Sequence, residues 1–135
     1  MKTYGAKVSK KINNKRILLL EQDVEFRNSL TRVLMRGAFD VFQAGTFDEA
    51  LDYLKNMHPM LMLFGFEKPT SENLYKVRTL IERFDKMPIV LITTFEQTEL
   101  SEDIKNREHI HILNKPVKKD HLIRTLEKLT LQQFT

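Results

Sequence analysis

Four residues that could carry chemistry follow directly on short apolar runs of this 135-residue chain. Glu21 and Gln22 end the first run, Thr93 ends a later run, and Lys115 follows the last one. If these runs are strands of one sheet, a carboxylate, an amide, a hydroxyl and an ammonium group meet at one edge. Such a set can bind an anion, or its members can pair with one another through hydrogen bonds and ion pairs.

The most apolar of these runs, Met60–Phe64, leads directly to Gly65. Five consecutive apolar residues before a glycine predict a short strand that is buried on both faces. In an open sheet of alternating strands and helices, ligands bind just beyond the carboxyl ends of the central strands. The chain therefore places a residue without a side chain, and hence a void, where a reactive group would project.

Strand-like and helical patterns alternate along the chain, which predicts a parallel sheet with helices on both faces. Right-handed crossovers restrict the fold to a doubly wound, three-layer α/β/α sandwich of five strands and five helices. The flavodoxin-like strand order 2-1-3-4-5 is the common solution, and it puts the most apolar strands in the centre. The predicted strands are Ile17–Leu20, Phe39–Ala44, Met60–Phe64, Ile89–Ile92 and Ile110–Leu113.

Capping residues indicate where the predicted helices begin and end. Asp23 is suited to be the N-cap of the first helix, and Gly37 to be its C′ residue. Thr46 and Glu49 match a capping box at the start of the second helix. Residues 98–107 are charged and only weakly periodic, which predicts a marginal fourth helix.

The composition is that of one globular domain, with 41% hydrophobic and 30% charged residues. The net charge of +4 comes from residues 1–16, which contain six Lys or Arg and no acid. The rest of the chain holds 16 basic and 18 acidic residues, a net charge of −2. We therefore predict a disordered basic tail at 1–14, a folded domain at 15–131 and a short C-terminal end at 132–135.

Three features that the sequence lacks narrow the possible classes of function. It has no cysteine, which excludes disulfides and thiol chemistry, and no apolar run approaches the ~20 residues that span a bilayer. No apolar segment typical of a secretory signal stands at the N-terminus. We expect a cytoplasmic protein that does not associate with membranes.

Five segments, in order, resemble the receiver domain of two-component response regulators. They are ILLLEQD with its acidic end, VFQAGTFDEALDYL, LMLFGFEKP with its downstream proline, PIVLITT with its hydroxyl end, and NKPVKKDHL with its Lys-Pro pair. Their order and spacing match the family over about residues 15–131. The resemblance implies the same fold and a role in phosphorelay signal transduction.

In working receivers, an aspartate at the end of the third strand accepts a phosphoryl group, and two acids at the end of the first strand hold Mg²⁺. The resemblance puts the nucleophile position on Gly65 and the acidic pair on Glu21 and Gln22. It puts the two phosphoryl contacts on Thr93 and Lys115. Because glycine cannot be phosphorylated and only one carboxylate remains, it implies no catalytic residue, no metal site and weak or absent Mg²⁺ binding.

The aromatic switch position of the family falls on Ile112, which has no ring. The nucleophile, the charge of the metal site and the switch are therefore lost together, which is typical of a pseudo-receiver. We expect a protein without enzymatic activity and without a cofactor, which binds protein partners of a signalling pathway independently of phosphorylation.

The family uses its fourth helix, fifth strand and last helix for pairing and output. The resemblance implies that a homodimer could form through this surface, with acids of one subunit facing bases of the other. The acids are Glu99, Glu102 and Asp103, and the bases are Lys118, Lys119 and Arg124.

Two other functions stay open. Glu67 or Asp23 could act as a substitute phosphoryl acceptor, although Asp23 is also suited to cap a helix and Glu67 to lie in a solvated loop. The basic tail could bind nucleic acid, but its only aromatic ring is Tyr4, so little base stacking is available. The pocket also has a purely structural interpretation, in which Lys115 pairs with Glu21.

We predict that deleting residues 1–14 leaves the melting temperature nearly unchanged, because this segment has too little apolar surface to pack. Thermal unfolding of the full and shortened chains measures the difference. A drop of more than about 4 °C, equivalent to roughly 1 kcal/mol of stability, would mean that the tail docks on the body.

Overall fold

The computed structural model describes residues 15–96 and 99–133, and this part of the chain contains five strands and five helices. The predicted tail at 1–14 and the last two residues lie outside it. The strands are β1 (Arg16–Glu21), β2 (Asp40–Ala44), β3 (Leu61–Gly65), β4 (Ile89–Thr93) and β5 (Ile110–Asn114). The helices are α1 (Val24–Arg36), α2 (Phe47–Asn56), α3 (Ser71–Arg83), α4 (Glu102–Lys105) and α5 (Lys119–Gln133).

All five strands are parallel and lie in the order β2-β1-β3-β4-β5, which confirms the predicted flavodoxin-like topology. Strands β3 and β4 are buried along their whole length, as continuous apolar runs in a parallel sheet should be. Strand β2 forms one edge and is partly exposed, in keeping with its more polar sequence.

Two hydrophobic cores cover the two faces of the sheet, so the three-layer sandwich is confirmed. On one face, alternate residues of the central strands pack against α2, α3 and α4. On the other face, the intervening strand residues pack against α1 and α5. The alternation follows from the two-residue period of a strand, which sends neighbouring side chains to opposite faces.

The predicted caps at the helix starts are confirmed. The Asp23 carboxylate accepts a hydrogen bond of 3.0 Å from the backbone N–H of Phe26 at the start of α1. At α2, the N–H of Glu49 donates to Thr46 Oγ1 at 3.2 Å, and the Glu49 carboxylate accepts from the N–H of Thr46 at 3.1 Å. Each cap satisfies backbone donors that the first helical turn leaves without intrahelical partners.

The end of α1 differs from the prediction. Gly37 has an ordinary φ of −83°, and the left-handed residue is Ala38, with φ of 67°. The glycine serves a different purpose, because a Cβ there would lie 2.9 Å from Ile123 Cδ1 and 3.3 Å from the Phe39 ring. The lack of a side chain thus allows α5 and the start of β2 to approach the end of α1 closely.

The fourth helix is shorter than the predicted stretch of 98–107, because α4 is a single turn, Glu102–Lys105. Its N-cap, Ser101, makes no side-chain capping hydrogen bond, and Ile104 is its only buried residue. One turn has little cooperativity of its own, so packing of Ile104 and the neighbouring Leu100 on the core holds it in place. The last helix, by contrast, extends to Gln133, two residues beyond the predicted domain end.

No helix within the described residues is both long and apolar enough to cross a membrane.

We predict that Ala38→Gly stabilises the protein. A left-handed alanine costs about 1–2 kcal/mol, whereas glycine adds about 0.5–1 kcal/mol of unfolded-state entropy. The net gain of about 0.5–1 kcal/mol should raise the melting temperature by about 2–4 °C.

Gly37→Ala is the matched contrast, since its backbone suits alanine but a Cβ there presses on Ile123 Cδ1 and on the buried Phe39 ring. We expect its melting temperature to stay level or to fall, and not to rise as that of the Ala38 variant does. A loss of stability in the Ala38 variant would show that the left-handed turn is not at this position.

Candidate functional site

Strand register brings the predicted site residues to one edge of the sheet. Glu21, the last residue of β1, is the direct neighbour of Gly65, the last residue of β3. On the other side, Thr93 at the end of β4 is paired with Asn114 at the end of β5, and Lys115 follows. The backbone therefore brings these residues to one edge of the sheet, as predicted, but it does not by itself place all of their side chains in one crevice.

The Glu21 carboxylate occupies the space above Gly65. A Cβ added to Gly65 would overlap Glu21 Oε1 and would lie only 3.1 Å from Glu21 Cδ. The predicted void at Gly65 is therefore wrong, because the neighbouring strand fills it with a carboxylate. The longer side chain of glutamate on β1 reaches the position from which a side chain on β3 would have projected.

Local contacts hold Glu21 in this position. Its Oε2 accepts a hydrogen bond of 2.9 Å from the backbone N–H of Asp23. Its Oε1 is buried, lies 3.5 Å from Lys115 Nζ, and has no hydrogen-bond partner among the described residues. With only 5% of the Glu21 side chain exposed, the carboxylate depends on the lysine for compensation of its charge. The predicted structural pairing of Lys115 with Glu21 is thus present.

Lys115 has two further contacts. Its Nζ lies 4.4 Å from the centroid of the Phe26 ring, a distance typical of a cation–π interaction. It also lies 3.8 Å from Glu67 Oε2, at the solvent side of the crevice. The Lys115 side chain is 14% exposed and the Glu67 side chain 69% exposed, so the lysine is enclosed while the second acid remains solvated. The sequence did not point to this role for Phe26, because its spacing to Leu30 and Leu34 is that of the core face of a helix.

A second cation, Arg27, binds the backbone at the end of β1. Arg27 Nη1 donates a hydrogen bond of 2.7 Å to the backbone carbonyl of Glu21, and its Nε donates to Gln43 Oε1 at 3.3 Å. The arginine thereby fixes the backbone from which the glutamate side chain projects. No sequence signal singled out this role, since Arg27 resembles any charged residue on an amphipathic helix.

Thr93 is directed into the protein rather than into the crevice. Its side chain is completely buried, and Oγ1 donates a hydrogen bond of 3.2 Å to the carbonyl of Phe95. Asn114 Nδ2 donates to the same carbonyl at 2.6 Å. The hydroxyl therefore has a structural role at the end of β4, where it stabilises the turn that follows the strand.

A crevice of about 630 Å³ lies beside the Glu21 carboxylate and opens between the loops that follow β1, β2 and β3. Gln22 and Asp23 line it, and both are exposed. These residues fit a Mg²⁺ site poorly, because Glu21 is engaged by Lys115 and Asp23 caps α1. Among the described residues, no three acidic, histidine or cysteine side chains are grouped so as to hold a metal ion.

Ile112 is half-buried and packs at the margin of the core under α2, α3 and α4. Aromatic rings lie elsewhere in that core, where Phe64, Phe66 and Phe95 form a buried row with centroid separations of 4.8 and 5.7 Å. The predicted switch position thus carries an aliphatic side chain, while the rings are fixed beneath the β3 and β4 loops.

The acids of the predicted interface have partners in their own chain. Asp103 accepts hydrogen bonds from Arg78 Nε at 2.9 Å and from Ser101, which lower the pKa of Asp103 to about 2. Lys105 and Asn106 donate hydrogen bonds to Glu102 and lower its pKa. The Glu99 carboxylate accepts from the backbone N–H of Glu96. The opposing bases, Lys118, Lys119 and Arg124, are exposed.

Known proteins resemble this chain in sequence and in structure. The response regulator receiver protein CpdR of Brucella abortus is 26% identical over 117 residues, which cover 87% of this chain and 98% of that protein. A CheY-like receiver domain from Methanospirillum hungatei superposes with a TM-score of 0.77 at 24% identity, covering 88% of this chain and 95% of that one. The receiver domain of Francisella response regulator 1452 gives 0.76 at 16% identity, covering 88% and 98%.

The solved structures are too distant in sequence to show more than the shared fold, but the family match extends over most of the chain. The model of the family described as "Response regulator receiver domain" matches residues 17–127, from the first strand into the last helix. This chain therefore belongs to the response regulator receiver family of two-component signalling.

Proposed function

We propose that this chain is an atypical receiver that acts by binding protein partners and does so independently of phosphorylation. The observation that carries the proposal is the Glu21 carboxylate above Gly65. The residue at the end of β3 has no nucleophile, and the space that a nucleophile would need is occupied by a carboxylate paired with Lys115.

The remaining acids are poorly suited to replace the nucleophile. Phosphoryl transfer requires the attacking oxygen to be aligned with the phosphoryl donor, and small misplacements cost orders of magnitude in rate. Asp23 is engaged in capping α1, and Glu67 lies on an exposed loop facing Lys115. Neither carboxylate stands at the end of a buried strand, where its position would be fixed.

The proposed role of the crevice is structural. In a working pocket, several carboxylates repel one another until a metal ion binds. Here one buried carboxylate faces one lysine, so the charges are balanced without metal, and we expect weak or absent Mg²⁺ binding. Binding to protein partners needs only a rigid fold and an exposed surface, and both are available to a chain of this family.

We predict that incubation with acetyl phosphate and Mg²⁺ adds no phosphoryl group to the protein, and that beryllofluoride does not bind. Intact-mass spectrometry and ¹⁹F NMR provide the measurements. The variant Gly65→Asp with Gln22→Asp is the positive control, because it supplies the missing carboxylates. Labelling of the wild-type chain that disappears in Glu67→Gln or Asp23→Asn would contradict the proposal and favour a substitute acceptor.

The same double variant tests whether the crevice of the wild type has less repulsion between carboxylates than a crevice with all of its acids. We predict that Gly65→Asp with Gln22→Asp melts below the wild type in EDTA, because three carboxylates then crowd one site. Excess Mg²⁺ should recover part of the loss, since a ligand that binds only the folded state stabilises that state. Equal melting of both proteins, with and without metal, would mean that these positions do not share one site.

Gly65→Ala separates the effect of volume from that of charge. Any Cβ at Gly65 must displace the Glu21 carboxylate, so this variant alone should lose about 1–3 kcal/mol of stability, independently of metal. In a Glu21→Ala background the same change should cost little, because the obstructing group is gone. Additive losses in the two variants would show that the side chains do not compete for one space.

A further inference from the structure

A groove separates the end of α1 from the beginning of α5, on the face of the sheet opposite α2, α3 and α4. It encloses about 410 Å³. Its floor consists of Val33, Gly37 and Ile123, all half-buried. A Cβ at Gly37 would lie 2.9 Å from Ile123 Cδ1, so the glycine keeps this part of the floor free of a further side chain.

Three cations stand around this floor, and all three are exposed. They are Arg36 at the end of α1, and Lys119 and Arg124 on α5. Of the residues that the structure describes, Asp120 is the one acid that lines the groove. The groove thus combines a small apolar floor with a positively charged rim.

Within the described part of the chain these three cations are unpaired, unlike several cations on the other side of the sheet. Within residues 15–96 and 99–133, none of the three takes part in an ion pair or side-chain hydrogen bond, whereas several cations elsewhere do. Those paired cations are Lys55, Lys76, Arg78, Lys105 and Lys115. An unpaired, exposed cluster of cations beside an apolar floor remains available for carboxylates of another molecule.

Lys15 lies close to this groove. Lys15 Nζ lies 5.3 Å from the centroid of the Phe39 ring, and the same ring lies 3.3 Å from where a Cβ of Gly37 would stand. Lys15 thus adds a further cation near the α1 side of the groove.

We propose that the groove between α1 and α5 binds an acidic segment of a partner protein, with an apolar side chain of that segment on the floor and carboxylates on the rim. The inference rests on the proposed function and names the partner class. The predicted homodimer also uses Lys119 and Arg124, but we favour a separate acidic partner because Glu102 and Asp103 are already engaged within their own chain.

Selection of random linear peptides displayed on phage against the full chain tests the proposal. The selected sequences should be enriched in Asp and Glu around an aliphatic or aromatic residue. A fluorescent copy of the best peptide serves as the probe, and its affinity is measured by anisotropy. The variant Arg36→Glu with Arg124→Glu should weaken binding about tenfold or more, and raised salt should weaken binding to the wild type.

The matched control is Lys68→Glu with Lys86→Glu, which changes the net charge equally at two exposed lysines away from the groove. We expect its affinity to stay within about twofold of the wild type. The proposal is overturned if the selected peptides lack acids, or if the control weakens binding as much as the groove variant does. It is also overturned if the groove variant abolishes only self-association, or only binding to duplex DNA or to anionic vesicles.

A parallel titration after treatment with acetyl phosphate and Mg²⁺ separates this inference from the proposed function. If the treatment changes the affinity for the peptide while the groove variant still binds it weakly, phosphorylation independence is contradicted and the groove remains the binding site. If the treatment leaves the affinity unchanged and the groove variant binds as well as the wild type, only the assignment of the groove as the binding site is contradicted.

Discussion

The arrangement of side chains at the carboxyl edge of the sheet depends on the buried ion pair between Glu21 and Lys115. This pair joins the end of β1 to the chain that follows β5, across β3 and β4, and so closes the carboxyl edge of the central strands. Burial makes the pair obligatory, because removal of either partner would leave an uncompensated charge in a poorly solvated place. The Phe26 ring and the Glu67 carboxylate also contact the lysine, with Glu67 on the solvent side.

Around this pair, groups that could bind a ligand are committed to the fold. Thr93 and Asn114 stabilise the turn after β4, and Asp23 caps α1. Thr94 Oγ1 donates a hydrogen bond of 2.8 Å to the carbonyl of Glu67, which ties the loop after β3 to the loop after β4. The polar residues at this edge are therefore connected mainly to one another, whereas the unpaired charges of α1 and α5 face outward.

Much of the fold could be predicted from the sequence, because its signals are local or periodic. Apolar runs of about five residues placed the strands, the Thr46 and Glu49 spacing identified a capping box, and alternation of strands and helices predicted the sheet order. The pairing of Glu21 with Lys115 could also be predicted, since parallel strands end at one edge.

The features that could not be predicted depend on side-chain direction and on details of the backbone. The contact between the Phe26 ring and Lys115 depends on the rotation of α1 about its axis. The left-handed residue after α1 is Ala38, because Gly37 is needed where α5 packs closely against the end of α1.

The overlap between Glu21 and any side chain at Gly65 has a consequence for how this sequence can change over time. An aspartate cannot enter at Gly65 while Glu21 keeps its present conformation, because the two carboxylates would claim the same space. An acidic residue at this position of β3 requires Glu21 to be shortened or displaced, and that change leaves Lys115 without its buried partner. The gain of an acid at Gly65 thus passes through a less stable protein, whichever of the two residues changes first. The glycine is in this sense held in place by its neighbour on β1.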